Sequence, residues 1–171
     1  MRGRCARGEH AEQIVCSSRY SPGLAFERFR RKLPLMNVSE TALPRIQHVT
    51  ITFPFGSESR LRKFYIDAVG LRERPTPKVA EPLGWIWFET GTPGVELHCV
   101  PDEQPVPPDT RHHFCLEVAD LEKERNRLLH FGVEILEARP LPFRPRFFAR
   151  DPFNNLIEFV NVQGDYLAAS R

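Results

Sequence analysis

Apolar and polar residues alternate along His48-Val49-Thr50-Ile51-Thr52-Phe53, which puts Val49, Ile51 and Phe53 on one face and His48, Thr50 and Thr52 on the other. Strand side chains point alternately to opposite faces, so this stretch predicts a half-buried strand. After Gly56-Ser57 the period changes. Leu61, Phe64, Tyr65 and Ala68 recur at helical spacing, with Ser57 as N-cap and Gly70 as stop. Pro75 and Pro77 block any continuation. Trp85-Ile86-Trp87-Phe88 and Val95-Glu96-Leu97-His98-Cys99-Val100 read as further strands around a turn at Gly91 to Gly94, before a proline-rich linker from Pro101 to Pro108.

The pattern then repeats. His113-Phe114-Cys115-Leu116-Glu117-Val118 alternates as His48 to Phe53 does, and Asp120 caps a second helix carrying Leu121, Leu128, Leu129 and Phe131 on one side and stopping at Gly132. Val133 to Leu136, Arg146 to Ala149 and Leu156 to Val160 supply three more strands. From His48 to Gly70 is 22 residues and from His113 to Gly132 is 19, while Gly70 to His98 is 28 and Gly132 to Glu158 is 26. Two β-α-β-β-β modules follow from this repeat. Their final strands align so that His98 and Glu158 are equivalent.

The last strand is preceded by Asp151-Pro152-Phe153-Asn154-Asn155, in which Pro presets φ and Asn tolerates the left-handed conformation of a tight turn. Glu158 follows with Leu156 and Val160 on its face. A carboxylate there is either exposed or held by a partner, because burying it unpaired costs several kcal/mol.

Charge removes some classes of function. Residues 1–35 hold eight Lys/Arg against three Glu, so the formal charge of +2 hides a body with sixteen basic and nineteen acidic residues. A mildly acidic body with no basic groove excludes nucleic acid as a partner, and no apolar run approaches the ~20 residues of a membrane span. Cys5, Cys16, Cys99 and Cys115 show no C-x-x-C spacing and read as free thiols in a reducing cytoplasm. Residues 1–43 are expected to be a disordered extension, 44–163 one domain with modules at 44–101 and 110–163, and 164–171 a tail.

His48, His98, His113 and Glu158 occupy the repeat-equivalent positions, on the polar faces of first and last strands. Curved sheets packed side by side would let all four converge. Imidazole and carboxylate suit Fe, Mn, Ni, Co or Zn, and the lack of Cys among them argues against a closed structural zinc site. His10, His112 and His130 do not fit the repeat.

The strand Ile46 to Phe53, the helix end Phe64-Tyr65-Ile66-Asp67-Ala68-Val69-Gly70-Leu71, the strand His113 to Val118 with Ala119-Asp120-Leu121, and the closing Asp151 to Phe159 stretch resemble the vicinal oxygen chelate superfamily. That group includes glyoxalase I, extradiol dioxygenases, fosfomycin-resistance enzymes and bleomycin-resistance proteins. The resemblance covers about residues 44 to 163. It implies an α+β fold, with two βαβββ modules forming a curved mixed sheet around a metal-binding cavity.

It also implies a divalent metal (Fe, Mn, Ni, Co or Zn) held by His48, His98, His113 and Glu158, and an enzyme of dioxygenase or lyase/isomerase type. The substrate would be a small molecule that chelates the metal through two oxygens. Homodimerisation is common in the family. The extradiol triad would map onto His48, His113 and Glu158. His98 departs from the Glu usual in glyoxalase I, although Glu96 lies two residues earlier on the same face. Glu96, Glu117 and Glu158 are the catalytic candidates. Arg146 would bind a substrate carboxylate or phosphate, with Phe148 and Trp87 as apolar wall; core packing is the alternative for the aromatics and a solvent-facing position for Arg146. The other functional class is a metal-free small-molecule binding protein of the bleomycin-resistance kind.

Overall fold

The computed structural model describes residues 43–165 and 167. The expectations for the extension, its two cysteines and most of the tail fall outside those residues. Strand β1 (His48–Phe53) leads into α1 (Glu58–Arg62), which continues as a π-helical segment over Lys63–Ala68. Then come β2 (Arg72–Arg74), a 3-10 turn at Glu81–Leu83, β3 (Ile86–Glu89) and β4 (Glu96–Pro101). The second module runs β5 (His113–Glu117), α2 (Leu121–His130), β6 (Ile135–Glu137), β7 (Arg146–Arg150) and β8 (Leu156–Val160).

Each module makes its own four-stranded mixed sheet, in the orders β1-β4-β3-β2 and β5-β8-β7-β6. First and last strands are parallel and the others antiparallel. The repeat is therefore present in three dimensions. His48 stands opposite Glu96 as His113 stands opposite Leu156, which makes His98 and Glu158 equivalent. The paired-module α+β architecture expected from the repeat is present, with one four-stranded mixed sheet per module and no ladder between β1 and β5 among the described residues. One edge carbonyl of β1, that of Thr52, is instead taken by the Asn155 side-chain amide at 2.8 Å.

Three local expectations also change. Strand β2 is Arg-Glu-Arg, exposed throughout, so it offers no apolar alternation to read. Ser57 sits at the N-cap, but its side chain caps nothing. On α2 only Leu128 is fully buried, while Leu129 and Phe131 are exposed at 52% and 42%; Leu129 lies about 100° around the helix from Leu128 and leaves the stripe facing the core. Asp120 does cap α2, its carboxylate accepting from Lys123 N at 3.0 Å.

One core spans both modules, with Ile51, Phe53, Leu61, Phe88 and Leu97 from the first and Leu128, Phe147, Ile157 and Phe159 from the second. Within it lies a polar node. Asp151, 4% exposed, accepts from Phe153 N and Asn155 N through Oδ1 and from Tyr65 Oη (3.0 Å) and Asn155 Nδ2 (2.8 Å) through Oδ2. The π-helical turn buries Tyr65 completely and aims its hydroxyl at the carboxylate. Asn154 takes φ 73°, as the turn requires. A second tie joins Arg127 of α2 to the Val69 carbonyl. That contact needs Gly70, whose missing Cβ would meet Arg127 Nη1 at 2.6 Å.

Replacing Asp151 by Ala strands four donors in the core and is expected to cost about 3 kcal/mol or more, against about 1–2 kcal/mol for Tyr65→Phe; urea unfolding midpoints measure both. Burial, outweighing these hydrogen bonds, raises the Asp151 carboxyl above the usual carboxylate range. The folded form thus holds its proton more tightly than the unfolded chain. Its contribution is fully present below the unfolded pKa and is lost as pH rises through the folded one. The stability difference between wild type and Asp151→Asn should therefore fall with rising pH across that window. A difference that grew with pH would show that the hydrogen bonds outweigh burial.

Candidate functional site

The four expected ligands lie on the strand faces turned away from the core, but they stand as two pairs. Among the described residues no three His, Cys, Asp or Glu side chains come together at one point. In the first module the His48 and His98 rings stack, with centroids 4.3 Å apart and planes 10° from parallel. In the second, His113 Nε2 lies 3.0 Å from Glu158 Oε2.

Each member is aimed by a neighbour. His113 Nδ1 lies 2.8 Å from the Arg111 carbonyl, which can only accept, so Nδ1 carries the hydrogen. In the neutral ring the Nε2 lone pair then points at a carboxylate oxygen. Such a pair calls for a cation or a proton between its atoms, and an N–H donated to a backbone carbonyl is what accompanies a metal-binding imidazole. His98 Nε2 lies 3.0 Å from Glu96 Oε2, leaving Nδ1 as its other donor atom. Trp87 meets the His98 ring nearly edge-on at 4.8 Å. His48 Nδ1 is 2.7 Å from Gln47 Oε1.

The remaining candidates divide by environment. Glu96 is held at both oxygens, by His98 and by Arg74 at 2.6 Å. The His98 contact foremost, with the Arg74 charge adding to it, lowers its carboxyl below the usual range. It is an orienting carboxylate in this geometry. Glu117 is exposed and lines, with Glu96 and Ile46, a cleft of about 730 Å³ between the edges of the two sheets. Phe148 stands opposite Glu158 in the ladder and meets His113 edge-on at 5.2 Å. Arg146 Nε approaches Glu158 Oε1 to 3.1 Å as an ion pair too poorly aligned for a hydrogen bond, so this buried N–H keeps no proper acceptor. Cys115 lies opposite Glu158; packing around the thiol and that carboxylate push it up to about 11, which keeps it protonated.

The donor set fits a divalent metal by type, imidazole and carboxylate with oriented rings, while each pair alone falls short of the three or four protein ligands such sites use. Sequence reading missed the orienting groups. Arg111 acts through its backbone, for which no side-chain signal exists, and Gln47 and Arg74 belong to no motif that would single them out.

A profile described as Glyoxalase/Bleomycin resistance protein/Dioxygenase superfamily matches residues 45–159. No curated protein matches the chain in sequence. A Bacillus anthracis protein assigned to the glyoxalase family is similar in structure at TM-score 0.64 and 30% identity, over 71% of this chain and 97% of that one. FosX, a fosfomycin resistance protein from Listeria monocytogenes, gives 0.62 at 13% identity over 76% and 100%. TnmS3, an antibiotic binding protein from Streptomyces sp. CB03234, gives 0.56 at 21% identity over 71% and 98%.

In nitrogen-15 NMR of the metal-free protein at alkaline pH, neutral His113 should show hydrogen on Nδ1 and neutral His98 hydrogen on Nε2. The opposite tautomer at His113 would remove the oriented lone pair.

Proposed function

Because the chain belongs to the glyoxalase/bleomycin resistance protein/dioxygenase superfamily, we propose that it is a divalent-metal-dependent enzyme of dioxygenase or lyase/isomerase type, acting on a small substrate with two chelating oxygens. The observation that carries this reading is the facing of His113 Nε2 and Glu158 Oε2 at 3.0 Å with the hydrogen fixed on Nδ1. The FosX neighbour has been solved, as a mutant, with Mn(II) and 1S,2S-dihydroxypropylphosphonic acid.

His48, His98, His113 and Glu158 would hold the divalent metal, one of Fe, Mn, Ni, Co or Zn. Bound there, it supplies Lewis-acid polarisation of substrate oxygens. The protein's residues do the rest. The Arg111 carbonyl and Glu96 fix the two imidazoles, and Arg146 holds Glu158 in place by charge. Phe148 and Trp87 give the substrate an apolar wall. Glu117, with no side-chain partner among the described residues, is the carboxylate free to take up a proton. The reading takes the protein to be a homodimer, in which the His48–His98 pair of one copy can be completed by the His113–Glu158 pair of its partner.

A second reading is favoured by the separation of the pairs: a metal-free binding protein for a small molecule, as the TnmS3 likeness allows.

Metal content of the full chain, compared with a His113→Ala, Glu158→Ala double variant of unchanged circular dichroism, separates them. Near-stoichiometric metal in the wild type that is lost in the variant is the expected result. Equally negligible metal in both after reconstitution would overturn the enzyme reading and leave the binding protein.

A further inference from the structure

A separate cavity of about 250 Å³ opens where three segments of the chain meet, and none of its wall residues belongs to the proposed metal or substrate site. The end of β1 with the start of α1 forms one wall, the proline-rich linker a second, and the turn before β8 a third. Side-chain amides tie these walls together. Asn154 Nδ2 donates to the Val106 carbonyl of the linker at 3.3 Å, and Asn155 Nδ2 donates to the Thr52 carbonyl of β1 at 2.8 Å. The folded chain itself therefore holds the cavity in shape.

Its chemistry is that of one cation in apolar surroundings. Arg60 is the only charged residue in the wall. Its guanidinium carbon lies over the Phe153 ring, 5.5 Å from the centroid, and among the described residues the side chain has no ion pair or hydrogen bond. A guanidinium so placed gains from the ring's electrons and keeps its N–H donors for an acceptor. The carboxylates of the adjoining segments face other groups: Glu58 accepts from Gly56 N at 3.3 Å, Asp102 from Gln104 N at 2.8 Å, and Asp151 from its four donors. Pro54, Pro105, Val106 and Pro152 supply apolar surface beside the ring. The Ser57 hydroxyl and the Gln104 side-chain amide, also in the wall, make no hydrogen bond among the described residues and are neutral donors for a ligand.

We propose that this cavity binds a small monocarboxylic acid with an apolar body, its carboxylate on Arg60 and its ring or short chain on Phe153 and the prolines. A single guanidinium with no second cation in the wall matches a single negative charge, and its fork takes the two carboxylate oxygens together. Because Arg60 is exposed, an ion pair there is worth little alone, so burial of the apolar body must add to it. Charge and body are both needed. Pockets for drug-sized ligands start at about 300 Å³, so this one suits one ring or a short chain. Since its walls come from both modules, an acid bound here braces their junction, and a ligand that binds only the folded chain raises its stability.

Titration of the EDTA-treated full chain at pH 7 with benzoate, benzamide and acetate, followed by nitrogen-15 NMR, tests this. Benzoate should shift the backbone amides of Ser57, Val106, Phe153 and Asn154 along one saturable curve and raise the unfolding temperature. Benzamide, which lacks the charge, and acetate, which lacks the body, should each bind about tenfold more weakly. Arg60→Ala should weaken benzoate by a similar factor, and Arg60→Lys should recover part of the loss. Arg60 is exposed and holds no ion pair or hydrogen bond, so both variants should keep the wild-type circular dichroism. The His113→Ala, Glu158→Ala variant should bind benzoate as the wild type does, which lets this inference and the metal reading fail separately. The proposal would be overturned by the absence of a saturable shift, by benzamide or acetate matching benzoate, or by undiminished binding in Arg60→Ala. Shifts centred on His48, His98 and His113, or loss of binding in the His113→Ala, Glu158→Ala variant, would overturn it as well.

Discussion

The buried carboxylate of Asp151 is the constraint on which the rest of the structure depends. A charge taken out of water must be met by donors on every side, or the fold loses several kcal/mol. Asp151 meets four, and they come from different parts of the chain: its own turn, Asn155 and the hydroxyl of Tyr65, 86 residues away. Asn155 then reaches on to the Thr52 carbonyl at the end of β1. The node therefore locks the turn before β8 to the helix and first strand of the other module. Within the second module the β5–β8 ladder, with Cys115 opposite Glu158 and His113 opposite Leu156, then sets the carboxylate beside His113.

Orientation runs through the candidate site in the same way. A neutral imidazole has one donor and one acceptor nitrogen, so whichever neighbour claims one decides what the other can bind. The Arg111 carbonyl claims Nδ1 of His113, and Glu96 claims Nε2 of His98. Glu96, low in pKa and held by Arg74 as well, is shaped for that task more than for accepting protons from a substrate. Arg146 does for Glu158 what Glu96 does for His98, by charge.

The modular repeat was legible because it rests on short-range rules. Alternation at His48 to Phe53 and His113 to Glu117, helix stops at Gly70 and Gly132, and the Asn154 turn all depend on neighbours a few residues apart, and all stand in the structure. The equivalence of His98 and Glu158 followed from counting between those landmarks. Strand β2 escaped because an exposed Arg-Glu-Arg edge has no apolar face to show. Leu129 and Phe131 read as sharing one helix side with Leu121 and Leu128, yet both are exposed, because apolar character marks a residue without saying which way a short helix is turned.

What the sequence by itself determined is the pair of βαβββ modules, the strand faces on which His48, His98, His113 and Glu158 lie, and the turn that presents the last of them. What only the tertiary structure decided is their grouping into two pairs, the burial of Asp151 against Tyr65, and the cavity that brings Arg60 together with Phe153 and the linker. The reason is physical: strand periodicity fixes the side of a sheet within a few residues, whereas distances between modules depend on how two sheets and their helices pack across a shared core.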